Sequence, residues 1–470
     1  MPHAPVSQPS AHALRHAEER PDDLAVVGPT VSISYAQLAG HASRIAGVLT
    51  MVKPGDVVGV LLPPQLEAIF IHALWQLAAI SCQPPTGGGE VPIDWLVALE
   101  PHPAVPADRT ILVDGPWLAR AAAADPVDPV PYTDDAEVCR LIFSSGTTGA
   151  PKAVPLSVRN LDYRAQIAPT HWMAATPILC ILDLSTASGS TAFFTSLVRG
   201  ETYILPGTPA ENLMLLQRHQ IASVKASPAQ LEALVKEAEA HPVSLPSLRV
   251  IQSVGSLLPE SLIARLFAAF GVEVVNLYGS SESGVLAIRR DASTDPMDAG
   301  EIAHDMTVEI VDENHVAVAA GTVGAIRSRR PLQAEGYFRD AAASAAHFRD
   351  GWFYPGDLGS LTEGRLRLAG RASELINAGG LKVDPARIDA VALPFAGVMD
   401  AAAFGHVNAA GVTRIALAFV GEVDVTALAQ HLQAQLGAAA PSVLLRVAEI
   451  PRTTMGKVRR GELATAADIQ

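Results

Sequence analysis

Residues 141–152 read LIFSSGTTGAPK, an apolar run followed by a loop of glycines and hydroxyl residues that ends on a lysine. The apolar run predicts a buried strand. Glycines let a backbone approach a phosphate chain closely, and backbone N–H groups, hydroxyls and the lysine ammonium supply donors to it. No Gly-Lys-Ser/Thr triplet follows Gly146 at the required spacing, so this is not a Walker A loop. A flexible Ser/Thr/Gly turn has the same composition, so the loop by itself leaves phosphate binding and a plain turn as alternatives.

The composition indicates a globular chain of enzyme size. Its 470 residues are 49% hydrophobic and 17% charged, which fits about two to four domains. A formal charge of −14 argues against a nucleic-acid partner, because such binding depends on clustered Lys and Arg. The three cysteines, Cys82, Cys139 and Cys180, have no C-x-x-C spacing and predict neither a disulfide framework nor a zinc site. Residues 1–10 lack secretory features and the apolar run 66–80 contains polar residues, so we expect a cytoplasmic protein without a membrane span.

Short apolar runs alternate with helical patterns through the first two thirds of the chain. Helices are predicted to begin at Tyr35 and to cover 66–79, on either side of a buried strand at 57–62. Further strands are predicted at 140–143, 178–182, 202–205, 223–226, 249–253 and 272–276. This alternation predicts an α/β fold with parallel sheets covered by helices on both faces. Residues 84–131 are rich in Pro, Gly and Ala, and we expect loops and one short element there.

The pattern changes after residue 306. Strands at 308–311 and 324–328 indicate a smaller β-rich subdomain, and a separate alternation follows residue 371, with a strand at 415–420 and a helix at 425–436. We therefore expect a large N-terminal domain over 1–370, a junction at 371–373 and a small α+β domain over 374–470.

Residues 144–152 resemble the phosphate-binding loop of the acyl-adenylate-forming superfamily, which includes acyl- and aryl-CoA synthetases, peptide-synthetase adenylation domains and luciferases. Five further segments resemble those of the family and follow in its order. They are QSVGSLLP (252–259), NLYGSSE (276–282), GWFYPGDLG (351–359), GRASELINAGGLKVDP (370–385) and PRTTMGKVRRGEL (451–463). Each segment alone could be an ordinary turn or a solvated surface, so the argument depends on their joint order.

The resemblance implies ATP and Mg²⁺ as cofactors, bound in the large domain, with the C-terminal domain as a mobile lid. Glu282 would bind Mg²⁺, Ser281 would contact the α-phosphate, and Lys457 would bridge the attacking carboxylate and that phosphate; Thr147 and Lys152 complete the catalytic set. The implied nucleotide-binding residues are Ser144, Ser145, Gly146, Thr147, Thr148, Gly149, Gly255, Ser256, Asn276, Tyr278, Gly279, Ser280, Asp357, Arg371 and Lys457. Among these, Tyr278 would stack on adenine, and Asp357 and Arg371 would bind the ribose.

The implied reaction is that of an AMP-forming acid–thiol ligase. It converts a carboxylic acid to acyl-AMP with release of pyrophosphate, and then transfers the acyl group to the thiol of CoA or of a carrier-protein phosphopantetheine. Ser373 would lie at the hinge, where the family usually has Asp or Lys, and Gly379 and Gly380 would lie beside the pantetheine arm. Too few residues follow Leu463 for a carrier domain, so we expect the acceptor to be CoA or a separate acyl carrier protein.

The implied acyl pocket contains Thr186, Gly189, Val254, Gly255 and Gly279. Val254 replaces a glycine of the family segment and would narrow the pocket, which favours a small acid, aromatic such as a hydroxybenzoate or short and aliphatic. Asp183 suggests the alternative of a stand-alone amino-acid adenylating enzyme, although it lies several residues before the expected specificity position. A luciferase-like oxygenase and a non-catalytic adenylate-binding relative are further alternatives.

Overall fold

The computed structural model describes residues 8–85, 92–103, 105–144, 151–172, 175–290, 295, 297–378, 381–407, 412–452 and 456–467. Its helices α1–α13 are Ala11–Glu19, Tyr35–Val48, Pro64–Gln76, Gly115–Ala123, Val158–His171, Ala187–Arg199, Pro209–Arg218, Pro228–Ala240, Glu260–Phe270, Ala341–His347, Pro385–Ala392, Val425–Leu436 and Arg460–Ala467.

Strands β1–β13 are Leu24–Val27, Ser32–Ser34, Val57–Leu61, Ile80–Cys82, Trp95–Ala98, Thr110–Leu112, Val138–Ser144, Lys152–Ser157, Ile178–Cys180, Tyr203–Ile204, Ser223–Ala226, Val250–Val254 and Glu273–Ser280. Strands β14–β26 are Gly284–Arg289, Asp298–Ile302, Thr307–Val311, Gly324–Arg329, Phe348–Arg349, Trp352–Phe353, Asp357–Thr362, Arg365–Arg371, Ile376–Ala378, Leu381–Val383, Val398–Val407, Thr413–Gly421 and Val443–Arg446.

Two large sheets form the body of the molecule. The first has the strand order β6-β5-β3-β4-β7-β8, parallel except for the antiparallel β7–β8 pair. In the second, β1, β10, β9, β11, β12 and β13 are parallel neighbours. From β13 the same ladder continues through antiparallel strands to β14, β15, β21, β20 and β17. The expected β-rich strands are therefore present, and they extend the second sheet.

Two helices that are buried along most of their length fill the space between the sheets. Residues 67–76 of α3 and 189–197 of α6 are all buried, as expected for helices covered on every side. The Trp75 ring stacks on Phe193 with centroids 6.0 Å apart, and its Nε1 donates to the Cys139 carbonyl in the first sheet. Phe193 in turn packs edge-on against Tyr203 of the second sheet. This core fixes the two sheets relative to one another.

A buried ion pair links the same elements. The guanidinium of Arg140 lies 3.5 Å from the Glu67 carboxylate and donates to the Ser190 hydroxyl and the Leu184 carbonyl. Burial raises the pKa of Glu67 to about 7, and the charge of Arg140 opposes that rise. Since Arg140 belongs to β7 of the first sheet and Leu184 follows β9 of the second, these hydrogen bonds join the two sheets at one point.

The C-terminal residues form two small sheets. β22 and β23 are an antiparallel pair, and β24, β25 and β26 form a three-stranded sheet. The α11 and α12 side chains Ile388, Leu428 and Leu432 pack on one face of that sheet, against Leu417 and Phe419. Arg460 of α13 donates to Asp389 of α11 at 2.5 Å, which ties the last helix to this unit.

The prediction for residues 84–131 was wrong in part. The segment contains two strands, β5 and β6, and the helix α4, instead of a single short element. Trp95–Ala98 is only four residues long, but its parallel pairing with β3 buries Leu96, Val97 and Ala98. Tertiary pairing, which the local sequence does not reveal, overrides the loop-like composition. No helix among the described residues is long and apolar enough to span a membrane.

Candidate active site

The two ends of the glycine-rich loop are held together by a strand pair. Ser144 ends β7, Lys152 begins β8, and the two residues are partners in the antiparallel register. The Ser144 hydroxyl donates to the Lys152 carbonyl at 3.3 Å. The predicted loop residues Ser145, Gly146, Thr147, Thr148 and Gly149 lie outside the described residues. The described geometry thus fixes where the loop leaves and rejoins the first sheet.

Tyr278, Asp357 and Arg371 meet at one carboxylate. The Tyr278 hydroxyl donates to Asp357 Oδ2 at 2.6 Å, and Arg371 Nε donates to Oδ1 at 2.8 Å. The strands explain the meeting, because Asp357 begins β20, Arg371 ends β21, and the two are register partners. Burial and the Asp357 charge raise the pKa of Tyr278 well above its usual value, so the phenol remains a hydrogen-bond donor. Three residues from distant segments thus form one polar group that could hold a ribose and its base.

Glu282 follows β13 and is 6% exposed. The Tyr337 hydroxyl donates to its Oε1 at 2.8 Å, and Oε2 accepts no hydrogen bond from the residues that the structure describes. Two guanidinium groups hold the flanking backbone, since Arg164 donates to the Ser281 carbonyl and Arg330 to the Ser283 carbonyl. A buried carboxylate with one oxygen unoccupied fits a magnesium ion that is otherwise bound by phosphate oxygens.

The Arg330 side chain is itself anchored by a buried polar cluster. It pairs with Asp305, which also accepts from the Tyr163 hydroxyl at 2.8 Å and lies 3.0 Å from His171 Nε2. Burial acts to raise the pKa of Asp305, but hydrogen bonds and charges from His171, Arg330 and Tyr163 hold it well below its usual range. His171, His304 and Asp305 are the one group of potential metal ligands found among the described residues. Because Arg330 already neutralises Asp305, we interpret the cluster as a structural support for the backbone around Glu282 and not as a metal site.

Lys457 lies within the electrostatic field of these groups. Burial, followed by the charge of Arg371, lowers the pKa of its ammonium, while Asp357, Glu282 and Glu374 act in the opposite direction. The preceding Gly456 has φ +80°, and a Cβ built on it would lie 3.1 Å from the Ala229 Cβ at the start of α8. A backbone loop of the C-terminal segment thus carries Lys457 to the carboxylates of the large domain.

Lys152 has a partner that sequence reasoning missed. Its Nζ lies 2.7 Å from His347 Nε2, and His347 Nδ1 lies 3.0 Å from the Tyr354 carbonyl. A carbonyl can only accept, so Nδ1 carries the proton and Nε2 accepts from the lysine ammonium. Lys152 Nζ is also 5.2 Å from the centroid of the Tyr337 ring. A lone histidine before an aromatic residue gives no pattern that would have identified it.

The other predicted nucleotide residues lie at the carboxyl ends of β12 and β13. Gly255 has φ +104° directly after β12, and a side chain on Gly279 would lie 2.2 Å from the Gly284 carbonyl. The Ser280 hydroxyl bonds to that of Ser283 at 3.0 Å. Asn276 is buried and its Oδ1 has no hydrogen-bond partner within the described part of the chain, while Ser256 is half-buried after Gly255. Parallel strands bring these residues to one edge, where ligands of open α/β sheets bind.

The predicted acyl-pocket residues fall into two groups. Val254 ends β12, beside Gly255 and level with Leu277 of β13. Thr186 and Gly189 instead begin α6, where the Thr186 hydroxyl accepts from the Gly189 N–H at 2.9 Å and donates to the Asp183 carbonyl at 2.8 Å. The Asp183 side chain itself is exposed. Thr186 therefore caps a helix, and its role in an acyl pocket stays a prediction.

The predicted hinge follows β21 directly. Ser373 is exposed in a turn closed by the Glu374 N–H, which donates to the Arg371 carbonyl at 3.1 Å. Gly379 and Gly380 lie outside the described residues. The turn therefore begins at the residue that binds Asp357.

Comparison with known proteins finds a matching family model and similar sequences over most of the chain. The family model described as AMP-binding enzyme matches residues 14–83 and 93–338. The chain is similar to an indoleacetate–CoA ligase of Aromatoleum aromaticum, at 28% identity over 96% of each chain. It is also 27% identical to a fatty acid–[acyl-carrier-protein] ligase of Mycobacterium marinum, over 97% of each chain.

Among solved structures, an anthranilate CoA ligase in complex with anthranoyl-AMP has the same fold. The TM-score is 0.86, with 20% identity over 99% of this chain and 98% of the other. The expected α/β architecture is confirmed by this likeness. Since the family model covers more than half of the residues, the chain belongs to the AMP-binding enzyme family.

Proposed function

We propose that the protein is an AMP-forming acid–thiol ligase that activates a small carboxylic acid. The acid would attack ATP to give acyl-AMP and pyrophosphate, and the acyl group would then pass to the thiol of CoA or of a carrier-protein phosphopantetheine. The names of the similar proteins, a CoA ligase and an acyl-carrier-protein ligase, support both acceptors. The observation that carries the proposal is the meeting of Tyr278 and Arg371 at the Asp357 carboxylate, with the Lys457 ammonium in the field of the same groups.

The first half-reaction brings together two anions, a carboxylate and a phosphate chain. Charge repulsion is therefore the main barrier, and a fixed cation near the reacting oxygens lowers it. In this proposal the Lys457 ammonium lies between the acid and the α-phosphate, and Ser281 contacts that phosphate. Lys152, oriented by His347, adds a second positive charge beside the loop after β7.

The nucleotide would be held by the Tyr278–Asp357–Arg371 group. Asp357 can accept from both ribose hydroxyls, since a carboxylate has about four acceptor sites, and the Tyr278 ring offers a face to adenine. Glu282 would hold Mg²⁺ through Oε2, and the bound ion would neutralise phosphate oxygens. Tyr337 and the two arginines behind the loop orient Glu282 for this role.

The acid itself is proposed to be compact and aromatic, such as a hydroxybenzoate. Val254 supports this size, because its side chain lies at the end of β12, where the family segment has a glycine. We place the lid over residues 374–470 and the hinge at 371–373, directly after β21.

Acid-dependent exchange of labelled pyrophosphate into ATP tests the proposal. We expect exchange with at least one member of a panel of aromatic, aliphatic and amino acids, and formation of a thioester when CoA or a carrier protein is added. Exchange only with amino acids would favour the amino-acid adenylating alternative. Absence of exchange with every acid, from a folded protein that binds ATP, would contradict the enzyme assignment.

A further inference from the structure

A lysine lies buried within the second sheet. Lys225 is the third residue of β11 and is only 2% exposed. Among the described residues no carboxylate pairs with its ammonium, which instead lies 3.7 Å from the centroid of the Trp172 ring. Burial lowers the pKa of Lys225 to about 8. A buried cation without an anionic partner is costly, so this position requires an explanation beyond packing.

A second buried polar group lies beside it. Gln252 of β12 is the register partner of Lys225 and is 4% exposed. Its Nε2 donates to the Trp172 carbonyl at 2.5 Å, which fixes the orientation of the amide because Oε1 could not face a carbonyl. The Oε1 atom is buried and has no hydrogen-bond partner among the residues that the structure describes. The Gln252 Oε1 acceptor and the Lys225 ammonium are therefore on neighbouring strands in the interior.

The sheet geometry relates both groups to the proposed acyl pocket. Register partners in a sheet project to the same face, and so do residues two apart along a strand. Lys225, Gln252 and Val254 consequently share one face, with Val254 the nearest of the three to the edge where Tyr278 lies. At about 3.3 Å per residue, Gln252 lies roughly 6–7 Å deeper than Val254, a depth that one substituted ring can span.

We infer that Lys225 and Gln252 form the polar floor of the acyl pocket and bind a phenolic hydroxyl on the ring of the acid. This inference rests on the proposed function, and it specifies the substrate as a hydroxy-substituted aromatic acid. A phenol both donates and accepts, so its O–H can donate to Gln252 Oε1 while its oxygen accepts from Lys225 Nζ. A second carboxylate on the ring would pair with Lys225 but would leave Gln252 Oε1 facing an anion.

Pyrophosphate exchange with 3- and 4-hydroxybenzoate, benzoate and terephthalate tests the inference. We expect the wild-type kcat/KM for the better hydroxybenzoate to exceed that for benzoate at least about tenfold, because a site with buried polar groups discriminates against an analogue that leaves them unpaired. Lys225→Met, which keeps the length and removes the charge, should lower this ratio toward one. The surface variant Lys236→Met in α8 is the matched control and should leave the ratio unchanged.

The outcomes separate the two proposals. A wild-type protein that exchanges with benzoate as well as with hydroxybenzoate, or a Lys225→Met variant that keeps the wild-type ratio, would overturn the polar floor and leave the ligase proposal intact. A preference for terephthalate would overturn the phenol in favour of a diacid. If no acid of any class supports exchange, the ligase proposal fails and the inference fails with it. The measured quantity is the ratio of two kcat/KM values for the same variant. Partial unfolding lowers both values equally and leaves this ratio unchanged.

Discussion

At the residue scale, we expect Lys457 to be needed for the first half-reaction but not for the second. It lies near Arg371, Asp357 and Glu282, where a carboxylate would attack the anionic α-phosphate. Thiol attack on a finished adenylate is instead directed at the uncharged acyl carbon. Lys457→Ala should therefore lose at least about a hundredfold in pyrophosphate exchange, in the range found when one charge-stabilising donor is removed. Thioester formation from supplied acyl-adenylate should persist.

The matched control is Lys53→Ala, which removes an exposed lysine from the first third of the chain. It should leave both half-reactions at the wild-type rate. Equal loss of exchange and transfer in Lys457→Ala would contradict a role confined to adenylation.

The same lysine should make the rate of adenylation fall at alkaline pH. Burial and Arg371 lower its pKa, so the ammonium loses its proton below the ordinary lysine value of about 10.4. Because kcat/KM reports groups in the free enzyme, kcat/KM for exchange should fall as the pH rises through that lowered pKa. Lys457→Arg should remove this fall in kcat/KM at high pH, since a guanidinium keeps its proton. If kcat/KM of the variant falls with the same midpoint, another group causes the fall.

Sequence motifs identified several residues that the structure brings together, but not all of their contacts, and the roles of these residues stay predictions. Tyr278, Asp357 and Arg371 belong to three separate motifs, and the register of β20 and β21 brings the last two together. His347 and Lys225 belong to no motif, because each depends on a neighbour that is distant in sequence, namely Lys152 and Trp172. A single lysine inside an apolar strand was the one available signal for Lys225.

At the scale of secondary-structure elements, the Glu67–Arg140 pair couples α3 to β7 and should make stability depend on pH. The folded-state pKa of Glu67 is raised to about 7 by burial, against about 4.3 in an unfolded chain. The folded state then binds the extra proton, so the stability due to this group is fully present below about pH 4.3 and is lost as the pH rises through 7.

Glu67→Gln, which cannot ionise, should gain stability relative to wild type between pH 5 and pH 8. Thermal unfolding of both proteins across this range measures the difference. Glu273→Gln at an exposed position of β13 is the control and should show no such trend. A difference between Glu67→Gln and wild type that is independent of pH would show that Glu67 is ionised throughout.

The α6 cap gives a second prediction at this scale. Thr186 Oγ1 accepts from the Gly189 N–H, and loss of such a cap costs about 1 kcal/mol. Thr186→Ala should lower the free energy of unfolding in urea by about that amount, whereas Thr186→Ser should restore it. If Thr186→Ala also changes acid preference while Thr186→Ser does not, the residue contributes to the acyl pocket as well.

Helix and strand predictions succeeded where the apolar pattern was clear and failed where an element lies among prolines and glycines. The helix at 425–436 and the strand at 223–226 were predicted with the bounds that the structure gives them. β5 was missed because its four residues lie among prolines and glycines, and only pairing with β3 makes it a strand. The extension of the second sheet from β13 into β14 and β15 likewise depends on long-range hydrogen bonds that no local pattern encodes.

At the scale of the whole molecule, the proposed mechanism predicts that Lys457 moves away from the large domain between the two half-reactions. In that mechanism the described arrangement, with Gly456 close to the start of α8, would be the one for adenylation. A Cβ built on Gly456 would lie 3.1 Å from the Ala229 Cβ, slightly less than the roughly 3.5–4.5 Å between the Cβ atoms of a disulfide. A cystine at these two positions should therefore hold the lid in place.

The double variant Ala229→Cys with Gly456→Cys tests this movement. Residue 456 has φ +80°, so cysteine there should cost about 1–2 kcal/mol of stability. The three native cysteines are buried and should not form disulfides with the new ones. When oxidised, the variant should keep pyrophosphate exchange and lose thioester formation from supplied acyl-adenylate, and a reductant should restore the transfer. Each single-cysteine variant should respond to neither treatment. Thioester formation at an undiminished rate by the cross-linked protein would show that both half-reactions occur in one arrangement, and Lys457 would then remain beside Asp357 throughout.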